Sequence, residues 1–150
     1  LFSRAMRSPS CRVTMPFNVA SEPKSQIQEF LNDFKGPGIQ HVALHTGNIV
    51  TTLETMETKG FEFLTVPHTY YESLKARLPG VTEDLKVLEN HSILVDGDAK
   101  GYLLQIFTQP QVGPFFYEYI QRKGDDGFGE GNFKALFEAI ERDQVRRGVL

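Results

Sequence analysis

The run Phe115-Phe116-Tyr117-Glu118-Tyr119-Ile120 sets a single acid among aromatic and apolar residues. These are strand-forming side chains. Successive side chains of a strand point to opposite faces, so Glu118 shares its face with Phe116 and Ile120. A lone carboxylate on an apolar wall is costly unless it is paired, protonated or bound to a metal. A second run carries the complementary group. In Ile39-Gln40-His41-Val42-Ala43-Leu44-His45, His41 shares a face with Ile39 and Ala43. Two such strands side by side would bring one imidazole and one carboxylate to a shared cavity. That is two thirds of the two-histidine, one-carboxylate arrangement used by non-haem Fe(II) oxygenases.

The rest of the chain places these strands in a fold. A strand is expected over about Ser10 to Pro16. Pro23 opens a helix in which Ile27, Phe30, Leu31 and Phe34 form one stripe. Gly36-Pro37-Gly38 stops it. After the histidine strand, Asn48 caps a helix from about Ile49 to Lys59, with Gly60 as its stop. A short strand is expected over Phe61 to Thr65, then helices over Tyr70 to Leu78 and Thr82 to Leu88. His91 to Asp96 and Tyr102 to Thr108 form a hairpin through Gly97-Asp98-Ala99-Lys100-Gly101. The glutamate strand follows. A glycine-rich loop, residues 124–131, leads to a final helix over Phe133 to Arg147, capped by Asn132, with Leu136, Phe137 and Ile140 inward. From Ile39 onward this order makes a βαβββ unit. Such a unit curls into a half-open barrel that needs a partner unit over its concave face. The residues before Gly36 read as the end of that partner.

Composition narrows the partners. A net charge of −3 over 150 residues gives no basic surplus for nucleic acid, and no window reaches a membrane span. The single cysteine, Cys11, rules out a disulfide within the chain and fits a reducing, cytoplasmic setting. Arg4, Arg7 and Arg12 precede the first acid, as in a transit peptide. Alternation around Cys11 to Met15 reads instead as a strand.

Each polar residue also has an ordinary reading. A histidine on a strand is commonly a hydrogen-bonded structural residue, and Glu118 has Arg122 or a lysine as alternative partners. His45 is separated from His41 by roughly 13 Å along an extended strand, too far to share a metal. His45, His68 and His91 read as surface or loop residues. Gln26, Gln40 and Gln105 are amides that can orient a substrate oxygen without adding charge, or simple surface amides. Phe107, Phe116, Phe128 and Phe133 suit an aromatic pocket or plain core packing. The glycines around Phe128 suggest a hinge that lets the final helix act as a lid.

The blocks KSQIQEF, GPGIQHVAL, GYLLQIFTQP, FYEYIQR and GFGEGNFKALF, in that order and spacing, resemble the C-terminal part of the 4-hydroxyphenylpyruvate dioxygenase family, within the vicinal oxygen chelate superfamily. The resemblance runs over essentially the whole chain. It implies an α+β vicinal oxygen chelate fold in one C-terminal catalytic domain. Residues 1–35 would end the preceding module, 36–123 would form the βαβββ metal-binding module, and 124–150 would form a loop and gating helix. It implies Fe(II) as cofactor, with His41 and Glu118 as metal ligands and the family's first iron-binding histidine upstream of residue 1. The chain by itself is then expected to be an inactive fragment. Gln26, Gln40, Gln105, Asn18, Ser3, Phe107, Phe116, Phe128 and Phe133 match substrate-pocket positions. The implied reaction converts 4-hydroxyphenylpyruvate, an aromatic 2-oxo acid, and O2 to homogentisate and CO2 in tyrosine and phenylalanine catabolism. The implied partners are those small molecules, with no nucleic acid or membrane, and a homo-oligomer for the full-length protein. Two alternatives are hydroxymandelate synthase on the same fold and a non-catalytic module that keeps the fold. The chain departs from the family where Asn18-Val19-Ala20 replaces the usual Asn-Glu-Pro, in its basic Arg4 to Arg12 segment, and in a loop before the last helix that is short beside plant members.

Overall fold

A computed structural model describes residues 2–20, 25–132, 134, 135, 145 and 146. The chain forms two compact units, one of residues 1–40 and 112–115, the other of residues 41–111 and 116–150.

In the first unit, β1 (Phe2–Arg7) and β2 (Thr14–Val19) pair antiparallel, with Phe2 opposite Val19 and Arg7 opposite Thr14. The strand expected over Ser10 to Pro16 therefore starts later, and its partner was not legible. Phe2–Arg7 lacks a clean apolar alternation, so no period-two signal marks β1. Residues 10–13 belong to the connection, which closes with Ser8 N–H donating to Val13 O at 2.9 Å, and Cys11 sits exposed there at φ 58°. Pro16 lies inside β2 rather than ending it, because each strand of a two-stranded hairpin has an open edge where a proline is tolerated. Helix α1 (Gln26–Phe34) is capped by Ser25, whose Oγ accepts from Gln28 N–H at 3.2 Å. Phe30 and Phe34, one turn apart, stack at 5.1 Å.

The second unit contains β3 (His41–His45), α2 (Ile49–Glu57), α3 (His68–Arg77), α4 (Leu85–Asn90), β4 (Leu94–Gly97), β5 (Tyr102–Phe107) and β6 (Phe116–Lys123). Among the described residues its strands form one mixed sheet in the order β3-β6-β5-β4. β3 runs parallel to β6, and the other neighbours are antiparallel. The long connection between β3 and β6 gives the parallel pair the crossover it requires. The fold is α+β. No described helix is long and apolar enough to cross a membrane.

One face of the sheet makes the core. Leu104 and Ile106 of β5 and Tyr119 of β6 join a buried cluster with Ile49 and Leu53 of α2, Tyr70, Tyr71 and Leu74 of α3, and Leu88 of α4. Each fully buried aliphatic side chain is worth roughly 1.5–3 kcal/mol. Asn48 caps α2 as its sequence suggested, its Oδ1 accepting from Thr51 N–H at 3.1 Å.

Three expectations in this unit need correction. Phe61 to Thr65 contributes a single bridge, Phe63 to Thr108, instead of a strand. It lies beside the end of β5 beyond the stretch that β4 covers, where Leu64 N–H donates to Phe107 O at 2.9 Å. The strand expected from His91 begins at Leu94, because α4 runs to Asn90 and the chain then turns through Ser92 at φ 54°. Asn132 does not cap the last helix. Helical backbone already begins at Glu130, and the Asn132 side chain is spent on Tyr70, whose hydroxyl donates to it at 2.6 Å. Phe133, Leu136, Phe137 and Ile140 lie outside the described residues.

Candidate metal centre

The sheet face opposite the core carries the polar groups. Register fixes this: His41 pairs with Phe116, Ala43 with Glu118, and Glu118 with Phe107. Paired residues point to the same face, so His41, Phe116, Glu118 and Phe107 share one side. Gln105, two residues before Phe107 and paired with Ile120, shares it too.

On that face His41 Nε2 lies 3.5 Å from Glu118 Oε2. The imidazole is oriented by two aromatic rings. It stacks on Phe116 with centroids 5.0 Å apart and planes 15° from parallel. Phe107 meets it edge-on at 6.4 Å, and also meets Phe116 edge-on at 5.9 Å. Glu118 is 4% exposed. Its Oε1 has no hydrogen-bond partner among the described residues.

A buried carboxylate oxygen left in this state is expensive. A cation beside both carboxylate and imidazole would offset that cost, and nitrogen plus oxygen is a donor set that suits a first-row divalent metal. The residues present therefore fit a metal ion, which His41 and Glu118 would hold. Among the described residues no group of three His, Cys, Asp or Glu side chains is placed to hold one. A complete three-residue ligand set thus needs a contribution from outside them.

The remaining predicted residues divide by unit. Gln105 is buried on the site face, and its Oε1 likewise lacks a partner among the described residues. Phe128 is half-buried in the glycine-rich loop that follows β6. Phe133 is outside the described residues. Ser3, Asn18, Gln26 and Gln40 belong to the first unit. There Ser3 Oγ donates to Asn18 Oδ1 across the hairpin, where the two residues are register partners. Gln26 opens α1, and Gln40 is half-buried immediately before β3. His45 and His68 are exposed and His91 is half-buried at the end of α4. Arg122, the alternative partner for Glu118, instead donates to the carbonyls of Asp125 and Gly127 at 2.9 and 2.7 Å.

Sequence reading passed over the residues that hold the glycine-rich loop. Asp96 accepts from Gly131 N–H at 2.8 Å, and Tyr70 holds Asn132. Strand alternation in β4 could have placed Asp96 on the site side with Leu94. Nothing in the sequence links Tyr70 to Asn132, which are 62 positions apart.

No protein-family model matches the chain. It is 54% identical over 153 aligned residues to a 4-hydroxyphenylpyruvate dioxygenase of Legionella pneumophila, a match that covers all of this chain and 44% of that protein. It is 52% identical to the protein named hemolysin VllY of Vibrio vulnificus, again over the whole chain and 43% of the relative. The chain thus spans less than half the length of these relatives. Among solved structures, a mutant 4-hydroxymandelate synthase from Streptomyces coelicolor superposes with a TM-score of 0.74 at 35% identity, covering 95% of this chain and 41% of that one.

Proposed function

We propose that this chain, which belongs to the 4-hydroxyphenylpyruvate dioxygenase family, supplies two of the three metal ligands of a non-haem Fe(II) dioxygenase acting on 4-hydroxyphenylpyruvate. The observation that carries this reading is the approach of His41 Nε2 to the buried Glu118 carboxylate, with Glu118 Oε1 left unpartnered among the described residues. The third ligand, a histidine, belongs to the part of the protein that this chain does not span. Bound ferrous iron would supply the site for the substrate's 2-oxo acid group and for dioxygen.

The chain's own residues do the rest. Glu118 would serve as a metal ligand and not as a general acid, since its carboxylate faces the His41 imidazole. Phe116 and Phe107 hold the His41 ring in plane and offer aromatic faces to the phenol ring of the substrate. Gln105 presents an uncharged amide that orients a substrate oxygen without altering the charge at the metal. Phe116 and Phe107 give the pair an apolar flank, which would tune the chemistry of a bound ion. The pocket roles of Ser3, Asn18, Gln26, Gln40, Phe128 and Phe133 belong to the same proposal, as do the gating role of the final helix and the division at residues 35 and 123. The product is homogentisate with release of CO2.

The test uses the full-length protein containing this chain. His41→Ala and Glu118→Ala should each reduce iron bound after anaerobic reconstitution by at least about tenfold and abolish homogentisate formation. Normal iron content in both variants would overturn the ligand assignment. Formation of 4-hydroxymandelate in place of homogentisate would assign the protein to hydroxymandelate synthase on the same fold.

A further inference from the structure

Gln105 has little to hold its amide in place. It is 2% exposed, and its register neighbours on the site face are Leu94 and Ile120, neither able to hydrogen-bond it through a side chain. Its Oε1 has no partner among the described residues. The last torsion of a glutamine is broad when nothing fixes it, so packing must do the fixing.

The packing comes from Gly129. That residue is buried at φ +75°, and a Cβ built on it would fall 1.7 Å from Gln105 Oε1 and 2.6 Å from Cδ. Its backbone therefore lies directly on the amide. The loop that carries Gly129 is tied down on both sides. Arg122 donates to the carbonyls of Asp125 and Gly127 before it. After it, Gly131 N–H donates to Asp96, and Tyr70 donates to Asn132. Tyr70 is itself held, accepting from Val95 N–H and from Arg77 Nη2, each at 2.8 Å.

We infer that Gly129 is a positioning residue: clamped by Asp96, Arg122 and Tyr70, it fixes the Gln105 amide by contact, so substrate affinity depends on position 129 through position 105. The inference rests on the function proposed above, in which Gln105 orients the substrate.

A double-mutant cycle in the full-length protein tests it, read as the Kd for 4-hydroxyphenylpyruvate by anaerobic calorimetry, with Tm measured on every variant. Gly129→Ala adds both a clash with Gln105 and strain at a positive φ. Only the clash should vanish when Gln105 is shortened. Gly129→Ala should weaken binding about five- to tenfold in the parent and less than about twofold in the Gln105→Ala background. Asp96→Ala, which adds no atoms, should weaken binding in the same direction and lose that effect in the same background. Equal losses in both backgrounds, or no loss in the parent, would overturn the positioning role. Failure of the unaltered protein to bind the 2-oxo acid would remove the function reading itself, and this inference with it.

Discussion

His41 shows how much the orientation of a side chain owes to its neighbours. The imidazole is oriented by side-chain contacts, since Phe116 stacks on it and Phe107 meets it edge-on. Aromatic contacts of this kind are worth about 0.5–1.5 kcal/mol beyond area burial. Phe116→Leu keeps the site apolar but removes the stack. In the full-length protein it should weaken metal affinity about three- to tenfold while shifting Tm by only a few degrees, as read by metal titration and thermal unfolding. The face of its own strand on which His41 or Glu118 lies was legible, because alternation along a strand is strict. Their distance was not, because no periodicity states which strands are neighbours. The position of Gly129 over Gln105 was hidden for the same reason: the glycine-rich loop gives composition, and contact with β5 is a tertiary fact.

The elements are stapled by polar groups as well as by the core. Lys123, at the end of β6, pairs with Glu83 in the connection before α4, and Tyr102 of β5 donates to Glu83 Oε2 at 2.8 Å. Burial raises the Glu83 pKa, but the hydrogen bonds from Lys123 and Tyr102 outweigh it, and the net shift is downward. The Lys123 pKa is raised, chiefly by its hydrogen bond to Glu83. A lowered acid gives stability that is present above its unfolded pKa, about 4.3, and is lost as pH falls through the folded value. A raised lysine gives stability that is present below about 10.4 and is lost as pH rises through its folded value. The staple should therefore act fully between about pH 5 and 10. Glu83→Gln should lower Tm by a few degrees at pH 7, and the gap from the parent should close below about pH 4. A gap that persists unchanged at pH 3 would show that shape, not charge, matters there. At this level α2 was the most legible element, because Asn48 announces it locally. The segment Phe61 to Thr65 was misread because its strand-like composition meets only the far end of β5.

Taken whole, the described chain leaves apolar surface uncovered. Met6, Met15, Phe17 and Val19 share one face of the β1–β2 hairpin, and each is at least half exposed. Contiguous exposed apolar surface promotes association. The 150-residue chain by itself should bind the dye ANS, and Met15→Ser with Phe17→Ser should reduce that fluorescence about twofold or more. No change on substitution would show that the dye binds elsewhere. The mixed sheet has a different consequence. Among the described residues β3 is an outer strand whose one neighbour in the sheet is β6, and the two lie more than seventy positions apart along the chain. An ion gripped by His41 and Glu118 would act as a removable rivet across that long span. Its uptake should slow amide hydrogen exchange in β3 far more than in the β4–β5 hairpin, and a chelator should reverse the effect. The protein's mechanical integrity at this edge would then report on its metal supply.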